Sequence, residues 1–438
     1  MKKIAKSNSY KRYFTIILSK PTIASLSIYF FIIIGLIGKY IEHFRTWTAL
    51  IWTLAILFFL TYTTAMQRVL RRSKLDIIIL ILNILCILNC AISSRHSYLL
   101  ANIYEVATPI IVSLTIFVMY KDNKFNFDKY LRKLFGIINL FWLLNLYILS
   151  KQITGSGFMM KSWWIQSNEY YQDLCSGLFG FNGTHELAFF SSFVMIYNLY
   201  IAFTNKNKFK KIVICIFIIL TEIMMCFYSI FNDNKVVFIL IPFFSLSFYY
   251  FYNIWTNKNI IGFIKVIMAL FIGSIILMNI PPLSDFFNKQ VIGKLIGILD
   301  YNNNAAYGGN ERLAIANYAL SNGFGWILGI GIGNIGWVST EVQEFAHYGL
   351  SSIGSFIYQG GLIYYLMHCI FYFIIFVELV FPRYGFTYKN ISVCLFAIFS
   401  ILFFSTYSTF FTSVVSVFWV LLTFLILGLL KESTLNKR

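Results

Sequence analysis

Apolar stretches long enough to cross a bilayer recur along almost the whole chain, and they constrain its fold more than any other feature. Crossing roughly 30 Å of hydrocarbon takes about 20 residues of helix. Every backbone polar group in such a stretch must be satisfied internally, so the stretches predict helices rather than strands. The chain is therefore expected to be an all-α integral membrane protein with about twelve transmembrane helices. The predicted spans are residues 21–38, 46–66, 75–93, 98–120, 131–150, 185–204, 211–230, 236–255, 260–280, 350–380, 389–408 and 411–430.

Composition supports a membrane rather than an aqueous environment. Of the 438 residues, 59% are hydrophobic and 12% are charged, whereas a soluble domain carries about 25% charged residues. The net charge of +18 would suit nucleic acid, but basic residues in short loops between spans are better explained by membrane orientation. We therefore expect the lipid bilayer, and no nucleic acid, as the partner of this charge.

The distribution of basic residues predicts the orientation. With the N-terminus in the cytoplasm, 26 of the 35 lysines and arginines lie on the inner side, as the positive-inside rule requires. Both termini are then cytoplasmic, and the first span is expected to be retained because no signal-cleavage pattern follows it. Six of the seven cysteines lie in spans, so no disulfide framework is predicted.

The spans divide the chain into three parts. Residues 1–280 hold nine spans with short connections and one outside loop at 151–184. Residues 281–349 form a large extracytoplasmic loop, in which the pattern predicts short helices at 284–300 and 311–322. Residues 350–438 hold the last three spans and a cytoplasmic tail. Long loops held by a rigid scaffold often carry function.

Two residues of the large loop have side chains suited to chemistry. Arg312 opens a predicted helix, and its guanidinium fork suits bidentate binding of a phosphate; pairing with Glu311 is the structural alternative. His347 lies just before the next span and titrates near neutral pH, which suits proton transfer. Its structural alternative is a helix cap.

Further ionisable residues lie at or within other spans. Lys235 occupies a tight outside turn, where it could bind an anion or extend to the membrane surface. His185 and Glu186 open a span from the outside and offer a base, a substrate contact or a helix cap. Charged or titratable groups inside spans are functional candidates by default; they are Glu105, Glu222, Glu378 and His368.

A glycine run, Gly331-Ile-Gly-Asn-Ile-Gly336, formally matches the dinucleotide-binding fingerprint. It lacks the preceding strand that this fingerprint requires. The run is either a close-packed turn or a row of backbone amides presented to an anion. No metal-ligand spacing occurs in the outside loops, so neither a metal nor a cofactor is expected.

The same region resembles the bacterial O-antigen polymerase and ligase family, which includes the Wzy-type polymerases of O-antigen and capsule. Members show an arginine, a short helix, a Leu-Gly-x-Gly turn, a histidine and a glycine-rich start deeper in the next span. A further arginine of the family, at an outside turn, is matched by Lys235. The matching outline comprises Asn310–Leu320, Gly323, Leu328–Asn334, His347 and Gly360–Ile363.

The resemblance implies a metal-independent glycosyltransferase of the bacterial cytoplasmic (inner) membrane, with its site facing the periplasm or the cell exterior. Its substrates would be polyprenyl-diphosphate-linked oligosaccharides, and a chain-length regulator protein would be a partner. Arg312 and Lys235 would stabilise the departing diphosphate, and His347, or His185 or Glu186 in its place, would take a hydroxyl proton. We expect a polysaccharide repeat-unit polymerase. An O-antigen ligase and a lipid-linked oligosaccharide flippase are the alternatives.

The predicted orientation can be tested with single cysteines in a background that lacks the seven native ones. We expect a membrane-impermeant maleimide to label Lys161→Cys in intact spheroplasts, and to label Lys206→Cys only after permeabilisation. The reverse labelling pattern would overturn the orientation.

Overall fold

A computed structural model describes residues 75–93, 96–121, 132–154, 175–179, 183–232, 234–255, 309–332, 351–384, 388–408, 410–411 and 417–422, with isolated residues elsewhere. Its elements are helices, and these residues contain no strand. The helices are α1 (Leu75–Ile92), α2 (His96–Lys121), α3 (Phe135–Ile153), α4 (Thr184–Thr204), α5 (Lys208–Phe231), α6 (Lys235–Trp255), α7 (Gly309–Ser321), α8 (Ser352–Tyr384) and α9 (Tyr388–Tyr407).

Six of these helices are long and apolar enough to cross a membrane. They coincide with predicted spans, so the described part of the chain is all-helical and of membrane type. Shorter apolar stretches lie in α2 and α9. The predicted spans 21–38 and 46–66 lie outside the described residues, and 260–280 and 411–430 are described only in part, so the number twelve stays a prediction. The six are α1, α3, α4, α5, Val236–Asn253 of α6 and Ser352–Glu378 of α8.

Helix α4 lies at the centre of the described bundle. Of the residues in its apolar stretch, 83% are buried, against 28% of those in the apolar stretch of α5. It packs against α3, α5 and α6. Aromatic rings make this packing: the Phe189 ring lies 4.7 Å from Phe404 of α9, and the Phe190 ring lies 5.3 Å from Phe418. Helix α5 instead exposes a wide apolar face that includes Ile216, Ile219 and Ile223, as expected for a helix that borders lipid.

An amide pair joins α3 and α4 inside the bundle. Asn139 Nδ2 donates to Asn198 Oδ1 over 3.0 Å, and Asn198 Nδ2 donates to Asn139 Oδ1 over 2.8 Å. Both side chains are buried. Hydrocarbon offers no competing hydrogen-bond partner, so such a pair favours one packing of the two helices.

Hydrogen bonds also join helix ends that the predicted orientation puts outside. Asn234 Nδ2 donates to the Thr184 carbonyl over 2.7 Å. The Ser352 amide donates to the Ser408 carbonyl over 2.8 Å. We call the end of the bundle that carries these residues the outer end. Each contact joins two helix ends that the predicted topology puts on the same side, and the topology itself stays a prediction.

Helix α8 is interrupted near this end. Gly361 has φ 83° and ψ 168°, which is incompatible with a helix. An L-residue with a side chain rarely adopts this conformation, so glycine is required there. The break frees backbone groups of residues 358–362, and a neighbouring segment uses them.

The predicted helix 311–322 is confirmed, with slightly different bounds, as α7. It ends where Gly323 takes a positive φ of 83°, and the Gly325 amide donates back to the Ala319 carbonyl over 2.8 Å. This is the common way in which glycine terminates a helix. The predicted helix 284–300 lies outside the described residues apart from Asn288.

The Asn139–Asn198 pair provides a test of the packing. We expect Asn139→Leu to lower the free energy of unfolding in detergent by about 1 kcal/mol, because it leaves Asn198 buried without its partner. The double variant Asn139→Leu/Asn198→Leu should recover part of this loss, since both amides are then gone. Denaturant unfolding of the purified protein measures both changes, and additive losses would contradict the pairing.

Candidate functional site

The starts of α4 and α6 meet at the outer end. Asn234, which immediately precedes Lys235, donates its Nδ2 hydrogen to the carbonyl of Thr184, which immediately precedes His185. Glu186 is buried, and His185 is half-buried. The backbone positions of Lys235, His185 and Glu186 therefore share one place in the fold. Sequence reasoning named all three without foreseeing that they are neighbours.

Glu186 lies in the first turn of α4. A carboxylate there is stabilised by the unpaired amides and the dipole of the helix start. The residue before the helix, Gly183, contributes no side-chain cap. The position therefore suits both the capping role and the role of a base at the edge of a site.

A short buried turn, residues 175–179, packs against α3 and α4 and is held by side-chain amides. Gln152 Oε1 accepts from the Gly177 amide over 2.8 Å, and Gln152 Nε2 donates to the Gly177 carbonyl over 3.4 Å. Asn145 Oδ1 accepts from the Leu178 amide over 2.7 Å. Asn232 Nδ2 donates to the Cys175 carbonyl over 2.8 Å. These bonds satisfy backbone groups that have no helix to pair in.

Sequence reasoning missed Asn145, Gln152 and Asn232 as a group. A signal was present, because Asn145 and Gln152 are two turns apart and so share one face of an apolar helix. The turn itself could not be predicted to enter the bundle. Burial raises the pKa of the Cys175 thiol to about 11, so this cysteine is not a thiolate nucleophile at neutral pH.

The glycine segment, residues 323–332, docks between α1 and the broken part of α8. The amides of Ile330 and Gly331 donate to the carbonyls of Tyr358 (3.0 Å) and Gln359 (2.9 Å). The Ile332 amide donates to the Asn89 carbonyl over 3.2 Å. Three consecutive amides are thus used within the protein. This favours the close-packed turn over an anion-binding row for this part of the run.

Glycine is required where the glycine segment meets α8, because the two backbones touch there. A Cβ on Gly329 would overlap the carbonyl groups of Tyr358 and Gln359, and one on Gly361 would overlap the carbonyl of Ile327. The Leu362 amide, released by the break at Gly361, donates to the Gly325 carbonyl over 2.7 Å. On the α1 side, Ser93 Oγ donates to the Ile332 carbonyl over 2.6 Å.

Helix α7 leads directly into the glycine segment and carries Arg312 in its first turn. It packs against α8 and also contacts α9. The ring of Tyr318 lies 6.1 Å from Phe324, which in turn lies 5.8 Å from Tyr358. The backbone of Arg312 is thereby carried on an element fixed to the bundle; the side chains of Arg312 and Lys235 lie outside the described part.

The remaining predicted residues are distributed differently. His347 lies outside the described residues, and Glu105 is described only as a backbone position in α2. Glu222 is buried in mid-helix, where its Oε2 accepts from Ser191 Oγ over 3.1 Å. His368 is buried, with Nδ1 2.8 Å from the Tyr364 carbonyl. In the described residues, no group of three or more His, Cys, Asp and Glu side chains could hold a metal ion.

Comparison of the chain with models of known families, with curated proteins and with solved structures finds no match.

The contact between the glycine segment and α8 can be tested with a matched control. We expect Gly329→Ala to displace the glycine segment, because its Cβ would overlap carbonyl groups of α8. Gly136→Ala meets nothing within 4 Å and lies in a helix, where alanine is favoured by roughly 1 kcal/mol. Thermal unfolding of the purified proteins should show Tm lowered by Gly329→Ala and unchanged or raised by Gly136→Ala. Equal Tm values for wild type and Gly329→Ala would contradict this contact.

Proposed function

We propose that the chain is a polysaccharide repeat-unit polymerase, which transfers a growing glycan from one polyprenyl diphosphate to a lipid-linked oligosaccharide on the outer face of the bacterial cytoplasmic membrane. The observation that carries the proposal is the docking of α7, with Arg312 in its first turn, onto the bundle through the glycine segment. The resemblance of residues 310–363 to the O-antigen polymerase and ligase family supplies the reaction class.

The residue types present suit this chemistry. A sugar hydroxyl of the acceptor would attack the anomeric carbon of the donor, the bond to the diphosphate oxygen would break, and the hydroxyl proton would pass to a base. Arg312 and Lys235 would stabilise the departing diphosphate without a metal. His347 would take the proton, and His185 and Glu186 are the rivals for that role.

The docked segment favours an enzyme over a flippase. Alternating access requires groups of helices to move past a central site. Here the glycine segment is hydrogen-bonded to the end of α1 and to α8, and α7 packs against α8. A fixed cover of this kind suits a reaction site that remains at one face of the membrane.

The proposal is tested by deleting the gene and separating the surface polysaccharide on a gel. We expect single repeat units in place of long chains, with chains restored by wild type and not by Arg312→Ala. Loss of a group that stabilises leaving-group charge costs on the order of 100-fold or more in rate. Arg312→Lys should restore less than wild type, because lysine lacks the bidentate fork.

Lys210→Ala is the matched control, since Lys210 is an exposed cation on the predicted inner side. It should restore chains fully. Loss of all polymer from the lipid core would instead indicate a ligase, and complete loss of surface glycan would indicate a flippase. Unaltered chains in the deletion strain would overturn the proposal.

A further inference from the structure

Four buried side-chain amides surround the turn at residues 175–179 and the start of α4; we call Asn145, Gln152, Asn232 and Asn234 the amide cluster. Their side chains are between 0% and 3% exposed. Within the described residues, the side chains of the cluster bond to backbone groups of Cys175, Gly177, Leu178 and Thr184. Inside the cluster, the backbone amide of Asn234 donates to Asn232 Oδ1.

Two atoms of the cluster have no hydrogen-bond partner in the structure. They are Asn145 Nδ2, which is a donor, and Asn234 Oδ1, which is an acceptor. Leaving a buried polar group unpaired costs about 1–3 kcal/mol. Natural proteins rarely leave such groups without a protein, water or ligand partner. The unpaired atoms therefore indicate that a further group binds in this place.

The chemistry of the two atoms restricts what that group can be. A phosphate would be repelled by the Asn234 oxygen, and a cation would be repelled by the Asn145 amide hydrogen. A hydroxyl both donates and accepts, so it can satisfy one atom of each kind. The cluster thus differs from a diphosphate site, for which Arg312 and Lys235 are suited.

The position of the cluster connects it with the proposed reaction. Asn234 bonds to the Thr184 carbonyl and immediately precedes Lys235, and Thr184 immediately precedes the candidate bases His185 and Glu186. A hydroxylated group bound at the cluster would therefore lie beside the residues proposed to take a hydroxyl proton.

We propose that the amide cluster binds hydroxyl groups of the acceptor sugar, with Asn145 donating and Asn234 accepting. This rests on the proposed function for the identity of the ligand. Gln152 and Asn232 are positioning residues, which act through the turn at residues 175–179. Opening of this turn gives the sugar access to the two unpaired atoms.

The test uses purified full-length protein and repeat-unit oligosaccharide, prepared by partial hydrolysis of the strain's own surface polysaccharide. Asn145→Asp keeps an oxygen for the Leu178 amide and replaces only the unpaired donor. Asn207→Asp makes the same chemical change away from the cluster, where the side-chain oxygen of Asn207 caps α5 by accepting from the backbone amides of Phe209 and Lys210. We expect Asn145→Asp to raise the Kd about tenfold, the value of one hydrogen bond, and Asn207→Asp to leave it within about twofold.

Equal Kd values for Asn145→Asp and Asn207→Asp would overturn the proposal. A second measurement needs no variant: the oligosaccharide should slow backbone hydrogen exchange of residues 175–179 in the wild-type protein several-fold. No binding to wild type and unchanged exchange would mean that an internal water alone occupies the cluster.

If the gel experiment supports a polymerase while the oligosaccharide does not bind, this inference fails and the proposed function stands. If chains are unaltered by deletion while Asn145→Asp alone weakens binding, the reverse holds.

Discussion

Burial away from water controls the described non-helical segments that pack into the helix bundle. Backbone amides and carbonyls buried there must find partners within the protein, and a helix provides them for its own segment. Where the chain leaves helical geometry, other groups must replace those bonds. The turn at residues 175–179 obtains them from asparagine and glutamine side chains. The glycine segment obtains them from the carbonyls of α1 and α8.

Pairing of the backbone by side chains and pairing by other backbone groups differ in how firmly they fix a segment. The turn at residues 175–179 is held by side-chain amides, and the opening proposed for it would begin with rotation of these side chains. Direct backbone contact, as at Gly329 and Gly361, leaves no such freedom because no Cβ can be accommodated. The outer end therefore combines an element fixed by backbone contacts, which carries α7 and Arg312, with a turn held by side chains next to the start of α4. This combination suits the proposed polymerase, which would have to stabilise a leaving group and admit a new acceptor in each cycle.

Prediction from sequence was most successful for features that follow from local pattern. The spans represented by α1, α3, α4, α5, α6 and α8 were predicted because apolar length alone identifies them. The end of α7 was predicted from Gly323, since a glycine after a helical pattern commonly terminates it. The neighbourhood of Lys235 and Glu186 was not predicted, because it depends on how α4 and α6 pack. The amide cluster was missed for the same reason: two polar residues of α3 and two of the α5–α6 connection acquire a common role only when the turn enters the bundle.

The sequence by itself determined that this chain is a helical membrane protein and which stretches form its spans, because the cost of burying polar backbone in lipid is decided residue by residue along the chain. It also indicated the residue types suited to diphosphate chemistry. Only the tertiary structure decided that the glycine segment, residues 323–332, packs against α1 and α8 and that Asn145 and Asn234 each retain an atom without a partner among the described residues. Those properties depend on distances between atoms far apart in sequence, which the packing of α1 on α8 and of α3 on α4 helps to set.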